Sequence, residues 1–361
     1  MTATQPTLVC TPAFPQRSTA GLCLVTGANG HLGNTLVRAL LARGHAVRAG
    51  VRRMEDRQPL EGLPCERVRL DLLDADSLRR ALMGVDVLYQ VAAVFRHWAR
   101  DAERDIVQPN VEGSRLVLQA AAAAGVRKVV YVSSVAAVGH TGEPFDEASW
   151  NTELENPYYR SKIESERAAW EAARRLGVAM VSVLPGAIVG PYAHSLTDTM
   201  NFLEQVRRRR LLVDPDFHFN FVDVRDVAAA MLAAAERGRP GERYILANHA
   251  SSSLADMAMA LGGGTVPGRV PPRPPRWLLA AMASLQQGLA RVTGRPPELL
   301  RSQVRLFHGV RQVYDIGKAC RELGYSPRPP ADALAAGFAW LEQRAAMEPL
   351  RVRRPKHPEP S

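Results

Sequence analysis

Leu22-Cys-Leu-Val-Thr-Gly-Ala-Asn-Gly-His-Leu-Gly33 is a short apolar strand that runs straight into three glycines and then into a helical pattern. Gly27 permits a tight turn, and Gly30 lets the backbone approach a pyrophosphate. Gly33 lets the following helix pack closely on the strand. Free N–H groups and a partial positive charge at that helix's N-terminus suit phosphate oxygens. Asn29, His31 and Leu32 share the loop and are candidates to border the same ligand. Glycine spacing alone is a weak signal; with a strand before it, a helix after it and a βαβ unit downstream, it points to a dinucleotide.

Working outward, short apolar runs alternate with helical patterns through the first two thirds of the chain. Leu22–Thr26, Ala46–Arg52, Val68–Leu70, Val85–Val91, Val129–Ser133 and Met180–Leu184 read as strands, and continuous apolar runs are what strands covered on both faces require. Leu32–Ala42, Ala75–Met83, Ile106–Ala124 and Pro157–Leu176 read as helices between them. This alternation predicts an α/β fold, a Rossmann-type doubly wound parallel sheet. After about residue 190 the pattern loosens. Helices are expected near Thr199–Arg209 and Arg225–Arg237, with a short Phe219–Val224 segment before the second and a strand at Tyr244–Ala247. Gly262–Gly264 and Pro267–Pro275 mark a loop; a helix at Trp277–Arg291 and a helical stretch to Met347 follow. The expected organisation is a disordered leader (1–20), a dinucleotide-binding core (21–190, rejoined by part of 219–250), a smaller, discontinuous C-terminal α/β substrate lobe (191–347) and a disordered basic tail (348–361).

Composition narrows the class. The chain has 361 residues, 46% hydrophobic and 23% charged, an ordinary globular balance. The most apolar stretch, Trp277–Ala290, is interrupted by Gln286 and Gln287, so no membrane span is expected. Cys10, Cys23, Cys65 and Cys320 have no metal-ligand spacing, which fits a reducing cytoplasm without a metal site. The formal charge of +10 gathers at Arg207–Arg210 and in the tail, without interleaved aromatics, and reads as solvated basic surface rather than a nucleic-acid site. Only four of the 46 basic residues are lysines, so each lysine invites a reason.

Two positions bear on cofactor and chemistry. Enzymes that use NAD usually end the second strand with an acid for the ribose 2′-hydroxyl. Here that strand ends in Arg52 and Arg53, with no acid until Glu55. A guanidinium fork suits a 2′-phosphate, so NADP is the expected cofactor, with NAD as the alternative. Farther on, Asn156-Pro157 opens a helix that carries Tyr158 and Lys162, four apart and so on one face. A phenol titrates near 10; a neighbouring ammonium is expected to lower it toward working pH and make it a usable acid. Tyr159, three residues from Lys162, is the local competitor. Ser134 ends the fifth strand and supplies a hydroxyl for a substrate oxygen; Ser133 is the alternative, since neighbours on a strand face opposite ways. Phe95, His97, Trp98, Tyr192, Phe202 and Phe219 are aromatics that line a pocket or belong to the core.

These motifs together resemble the extended short-chain dehydrogenase/reductase superfamily. The likeness lies in Thr26–Gly33, Asp71-Leu72, Val91-Ala92-Ala93, Asn110–Ser114, Ser133-Ser134 and Tyr158 to Lys162. It continues in Leu184–Pro191, Val222–Val227 and Glu322–Pro327, and covers about residues 21–345. Phe95–Asp101 and the Trp277 helix with Thr293–Pro296 bring it nearest to dihydroflavonol reductase-like and hopanoid-associated sugar epimerase-like proteins. The resemblance implies a Ser134, Tyr158, Lys162 set with Asn110 supporting the active-site loop. It also implies Asp71 and Leu72 flanking the adenine, Ala92 and Ala93 at the ribose, Lys162 on the nicotinamide ribose and Pro185 beside the nicotinamide. His31 stands where an aromatic is usual, and Leu184 stands where many sugar-nucleotide epimerases have arginine. The implied activity is NADP-dependent reduction of a ketone, or oxidation of the alcohol, in a small and apolar metabolite. The alternatives are a nucleotide-sugar epimerase or dehydratase using bound NAD, and a non-catalytic NADP-binding protein. By analogy the chain forms a homodimer through the Ile106–Ala124 and Pro157–Leu176 helices.

Overall fold

The computed structural model describes residues 21–139, 144–264, 270–294 and 296–347. The leader at 1–20 and the tail at 348–361, both expected to be disordered, lie outside the described residues. β1 (Cys23–Thr26), β2 (Val47–Val51), β3 (Glu66–Arg69), β4 (Val87–Gln90), β5 (Lys128–Val132), β6 (Met180–Pro185) and β9 (Arg243–Leu246) make one seven-stranded sheet. Its order is β3-β2-β1-β4-β5-β6-β9, and every pairing is parallel. The order reverses between β1 and β4, so their C-terminal ends open the crevice where such sheets take ligands.

Helices cover both faces, as parallel strands without solvent contact demand. On one face α1 (His31–Ala42) and α6 (Val224–Arg237) bury Leu32, Leu36, Leu40, Val227 and Met231 against β1 and β2. On the other, α2 (Ala75–Leu82), α3 (Gln108–Ala123) and α4 (Pro157–Leu176) bury Leu78, Leu118 and Ala169 against Leu24, Leu88 and Val129. β3 departs from the buried pattern because it is the sheet edge. Its Glu66 and Arg69 are exposed, and edge charge discourages pairing with another chain. α3 starts later than its periodicity implied. A wide π-type turn at Glu103–Val107 precedes it, because Pro109 lacks the N–H that would continue a regular turn.

Most of the remaining elements form a second, smaller layer. β7 (Ala187–Val189), which the apolar pattern did not reveal, pairs in parallel with β8 (Phe221–Asp223). α5 (Asp198–Arg207), α7 (Leu254–Leu261) and α11 (Pro330–Met347) pack on this pair through Met200, Leu203, Met257, Leu334 and Phe338. α8 (Arg276–Thr293), α9 (Arg301–Phe307) and α10 (Gly317–Leu323) complete the chain, and α10 buries Ala319 and Leu323 in the core cluster of α1 and α6. Among the described residues, no helix is long and apolar enough to cross a membrane.

Candidate active site

A cleft of about 1000 Å³ runs from the glycine loop across the C-terminal ends of the strands to α9. At one end, Gly27 holds φ at +63°, a left-handed conformation that favours glycine. A Cβ on Gly33 would fall 2.2 Å from the Gly27 carbonyl oxygen, so helix and loop meet at a distance only glycine allows. Gly30 caps α1 with no side chain on the first N–H groups, and the first turn holds no acid. Those donors therefore face the cleft free to take a phosphate. Thr26, which the sequence reading did not single out, ties the crevice together. Its Oγ1 accepts the N–H groups of Val91 and Ala92, each at 2.9 Å, and donates to Gln90 at 2.9 Å.

Gly27, Gly30, Leu32, Arg52, Arg53, Asp71, Leu72, Ala92, Ala93 and Pro185 all border the cleft, as do Asn29, His31 and Gly33. Asn29 is already engaged, donating to Asp56 at 2.7 Å. Neither Glu55 nor Asp56 lines the cleft. Arg52 and Arg53 are exposed at the end of β2 and make no ion pair with another described residue. Asp71 accepts the Leu73 N–H at 3.0 Å, and Leu72 packs against Gly113. His31 bonds the Pro191 carbonyl at 2.9 Å, so that nitrogen carries the proton and Nδ1 is left as a buried acceptor without a partner. Burial holds the imidazole down to about 4. An uncapped helix start, a glycine cradle and free guanidinium groups at the far end fit a dinucleotide.

At the other end, Asn156 sets the register of α4. Its Oδ1 accepts the N–H groups of Tyr158 and Tyr159 at 3.0 and 3.3 Å, and Pro157 takes the first helical position. This aims the Tyr158 hydroxyl at Ser134 Oγ, to which it donates at 3.3 Å. Tyr159 turns toward Phe307 instead, with ring centres 6.0 Å apart. The two serines at the end of β5 separate cleanly. Ser133 donates to Glu166 at 2.6 Å inside the core, and Ser134 meets Tyr158 on the cleft wall. Asn110 donates to the Val94 carbonyl at 2.9 Å and to Ser161 Oγ at 2.6 Å, and accepts the Val94 N–H at 2.7 Å. Its polar atoms are committed to the loop after β4 and to α4, which makes it a positioning residue rather than a reacting one.

The electrostatics correct one expectation. Burial pushes the Tyr158 phenol up to about 12; the Ser134 hydroxyl offsets part of this, and Asp198 adds to it. Lys162 is itself buried, which brings its ammonium down to about 8, with Glu166 pulling the other way. A lysine one turn away was expected to lower the phenol. Desolvation dominates instead, because both groups sit below the surface, where each charged form is penalised, and Lys162 is not among the groups that shift the phenol.

An aromatic wall faces the Tyr158 ring. Phe95 and His97 lie 4.9 and 4.6 Å from it, centre to centre, and His97 reaches toward Asp198 at 3.9 Å. Phe219, Phe307 and Gln312 close the far side. Phe307 and Gln312 were not expected from the sequence: Phe307 ends α9 and Gln312 lies in the irregular segment after it, both far along the chain. Trp98, Tyr192 and Phe202 do not border the cleft; Tyr192 packs on Trp340, and Phe202 packs on Phe219.

The sequence profile described as the NAD dependent epimerase/dehydratase family matches residues 23–247. "Sterol demethylase protein B" of Methylococcus capsulatus is 37% identical over 331 residues, which are 89% of this chain and 98% of that protein. A "putative dihydroflavonol 4-reductase" of Synechocystis is 35% identical over 329 residues, 88% of this chain and 94% of its own. The crystal structure of gox2253 superposes with a TM-score of 0.77 at 34% identity, covering 91% of this chain and all of that one (100%). The matched span takes in the glycine loop, β5 and α4; the chain belongs to the NAD dependent epimerase/dehydratase family, as an NAD(P)-dependent enzyme of the extended short-chain dehydrogenase/reductase type.

Proposed function

We propose that this chain is an NADP-dependent reductase of an apolar ketone. The observation that carries the reading is the Tyr158 hydroxyl donated to Ser134 Oγ at 3.3 Å on the wall of the cleft. The bound dinucleotide would supply a hydride to the carbonyl carbon. The protein's part is to hold the carbonyl oxygen between the Ser134 and Tyr158 hydroxyls and to neutralise it as charge develops. A phenol at about 12 is protonated throughout the neutral range, which is the form a proton donor needs. Its proton passes to the nascent alkoxide, so hydride and proton together convert ketone to secondary alcohol. Lys162, one turn along α4, stabilises the phenolate left behind and, with its pKa near 8, can return a proton to it.

Arg52 and Arg53, exposed at the adenosine end and in no ion pair with another described residue, support a 2′-phosphate and hence NADP over NAD. Phe95, Ile188, Phe219 and Phe307 give the substrate end an apolar character, and the name of the Methylococcus capsulatus relative points the same way. Tyr158→Phe should lower kcat by about 10²–10⁴-fold with NADPH affinity unchanged. NADPH absorbance followed over a panel of aliphatic and ring ketones reads both; undiminished turnover in the variant refutes the reading. The family's description favours an epimerase alternative, for which the same assay would record no net NADPH consumption.

A further inference from the structure

α8 has two apolar faces. The inner one carries Leu279 and Ala283, buried in the same cluster as Tyr158, Tyr159 and Phe307. The outer one carries Trp277, Leu285 and Val292, which are 71%, 67% and 82% exposed, together with Leu278 and Leu289. At about 100° per residue, these five fall with Ala281, Ser284 and Gly288 in one arc of roughly 140° that holds no charge. All eight are exposed, and none of the other described elements covers them. Contiguous apolar surface of this kind marks an interaction site rather than ordinary exposure.

The charge around the arc says what covers it. α8 carries two arginines, Arg276 and Arg291, and no Asp or Glu. Arg273 is taken up by Asp214 and Asp216, whereas Arg276 and Arg291 on α8 are exposed and make no ion pair with another described residue. A helix with a wide apolar arc, whose own charged residues are all arginines, suits the headgroup region of an anionic bilayer. A second copy of the chain suits it less, because pairing this face with itself would gather arginines from two helices that carry no acid of their own.

We propose that α8 docks the protein on an anionic lipid surface, lying in the interface without crossing it. Its inner face shares a cluster with Tyr158 and Phe307, so the lipid-facing and substrate-facing walls are one helix apart. The full chain should co-sediment with vesicles of phosphatidylcholine and phosphatidylglycerol, and about tenfold less with phosphatidylcholine alone or at high salt. Leu285→Glu with Val292→Glu should reduce partitioning at least about tenfold while Tm is unchanged, a readout independent of turnover. If that variant fails to fold, Arg276→Gln with Arg291→Gln serves instead, and should lose the preference for anionic vesicles. Wild type that stays in the supernatant overturns the proposal, as does equal partitioning of wild type and variants. A wild-type dimer that Leu285→Glu with Val292→Glu converts to a monomer also overturns it, assigning the face to a second copy.

Discussion

Replacing Glu166 by alanine tests what holds α4 in place. The two carboxylate oxygens accept from Ser133 Oγ at 2.6 Å, Ser182 Oγ at 3.0 Å, Trp170 Nε1 at 3.2 Å, and Arg243 Nε and Nη2 at 2.9 and 3.1 Å. The side chains are 0% and 7% exposed for Glu166 and Arg243, so truncation would strand a buried cation. Removing one partner of such a pair costs about 3–5 kcal/mol. Arg243 would keep the carbonyls of Glu147 and Ser149 at 2.9 and 2.7 Å and its seat 4.0 Å over the Trp150 ring, which favours the lower end. Unfolding entropy of roughly 2.1 cal/mol/K per residue, over the 317 described residues, comes to ~0.7 kcal/mol/K and hence a Tm loss of about 4–7 °C. Ser133→Ala removes one hydrogen bond to the same carboxylate, about 1.5–3 kcal/mol, and should lose about half as much. Glu166→Leu combined with Arg243→Met removes both charges and should recover most of the loss, since apolar replacements of buried ion pairs are often neutral. Calorimetry on the four proteins decides. A Glu166→Ala protein that melts with wild type refutes the reasoning, as does a double variant no better than the single one.

Two further outcomes follow from the cleft. As pH falls through 6.5 an unfolded His31 takes up a proton, while the buried ring resists until about 4, so His31 alone should remove up to roughly 3 kcal/mol of stability across that window, with buried His97 acting in the same direction. His31→Phe should flatten the slope in urea melts between those limits; an unchanged slope would mean the imidazole is not held neutral. Arg52→Ala should raise KM for NADPH about tenfold, the worth of one exposed charge-assisted bond, and leave KM for NADH unchanged; parallel changes in both constants would remove the 2′-phosphate argument.

What could be read in advance is what local pattern encodes. A strand, a glycine loop and a helix are contiguous in sequence, so Gly27, Gly30 and Gly33 announced the crevice before any packing was known. Ser134 and Tyr158 were legible for a similar reason: strand alternation sorts Ser133 from Ser134, and helical spacing puts Lys162 beside Tyr158. The misses have a different physics. Phe307, the last residue of α9, and Gln312, in the segment after it, reach the cleft only through the packing of α8 and α9, and no local motif marks them. β7 is three residues long and draws its partner from beyond residue 220, so its strand character lies in a distant pairing. Asn110 was legible as a site residue, but that its amide is spent on Val94 and Ser161 emerges only when three segments converge.

The sign of the phenol shift is the more instructive miss, because it bears on the proton that the reaction uses. Sequence spacing reports a cation near a phenol and so implies a lowered pKa. Burial acts on both groups at once, raising Tyr158 to about 12 and lowering Lys162 to about 8. The two shifts do not cancel in function. They keep the phenol protonated at neutral pH and bring the lysine close to the point where it can give up its own proton. Reduction of a ketone consumes the proton that the resting phenol already carries. Oxidation of an alcohol would need that proton removed first, against the desolvation that holds it in place. On the proposed reading, the buried Ser134, Tyr158 and Lys162 set holds ready the proton that ketone reduction consumes, and takes that proton back when the same reaction runs in reverse.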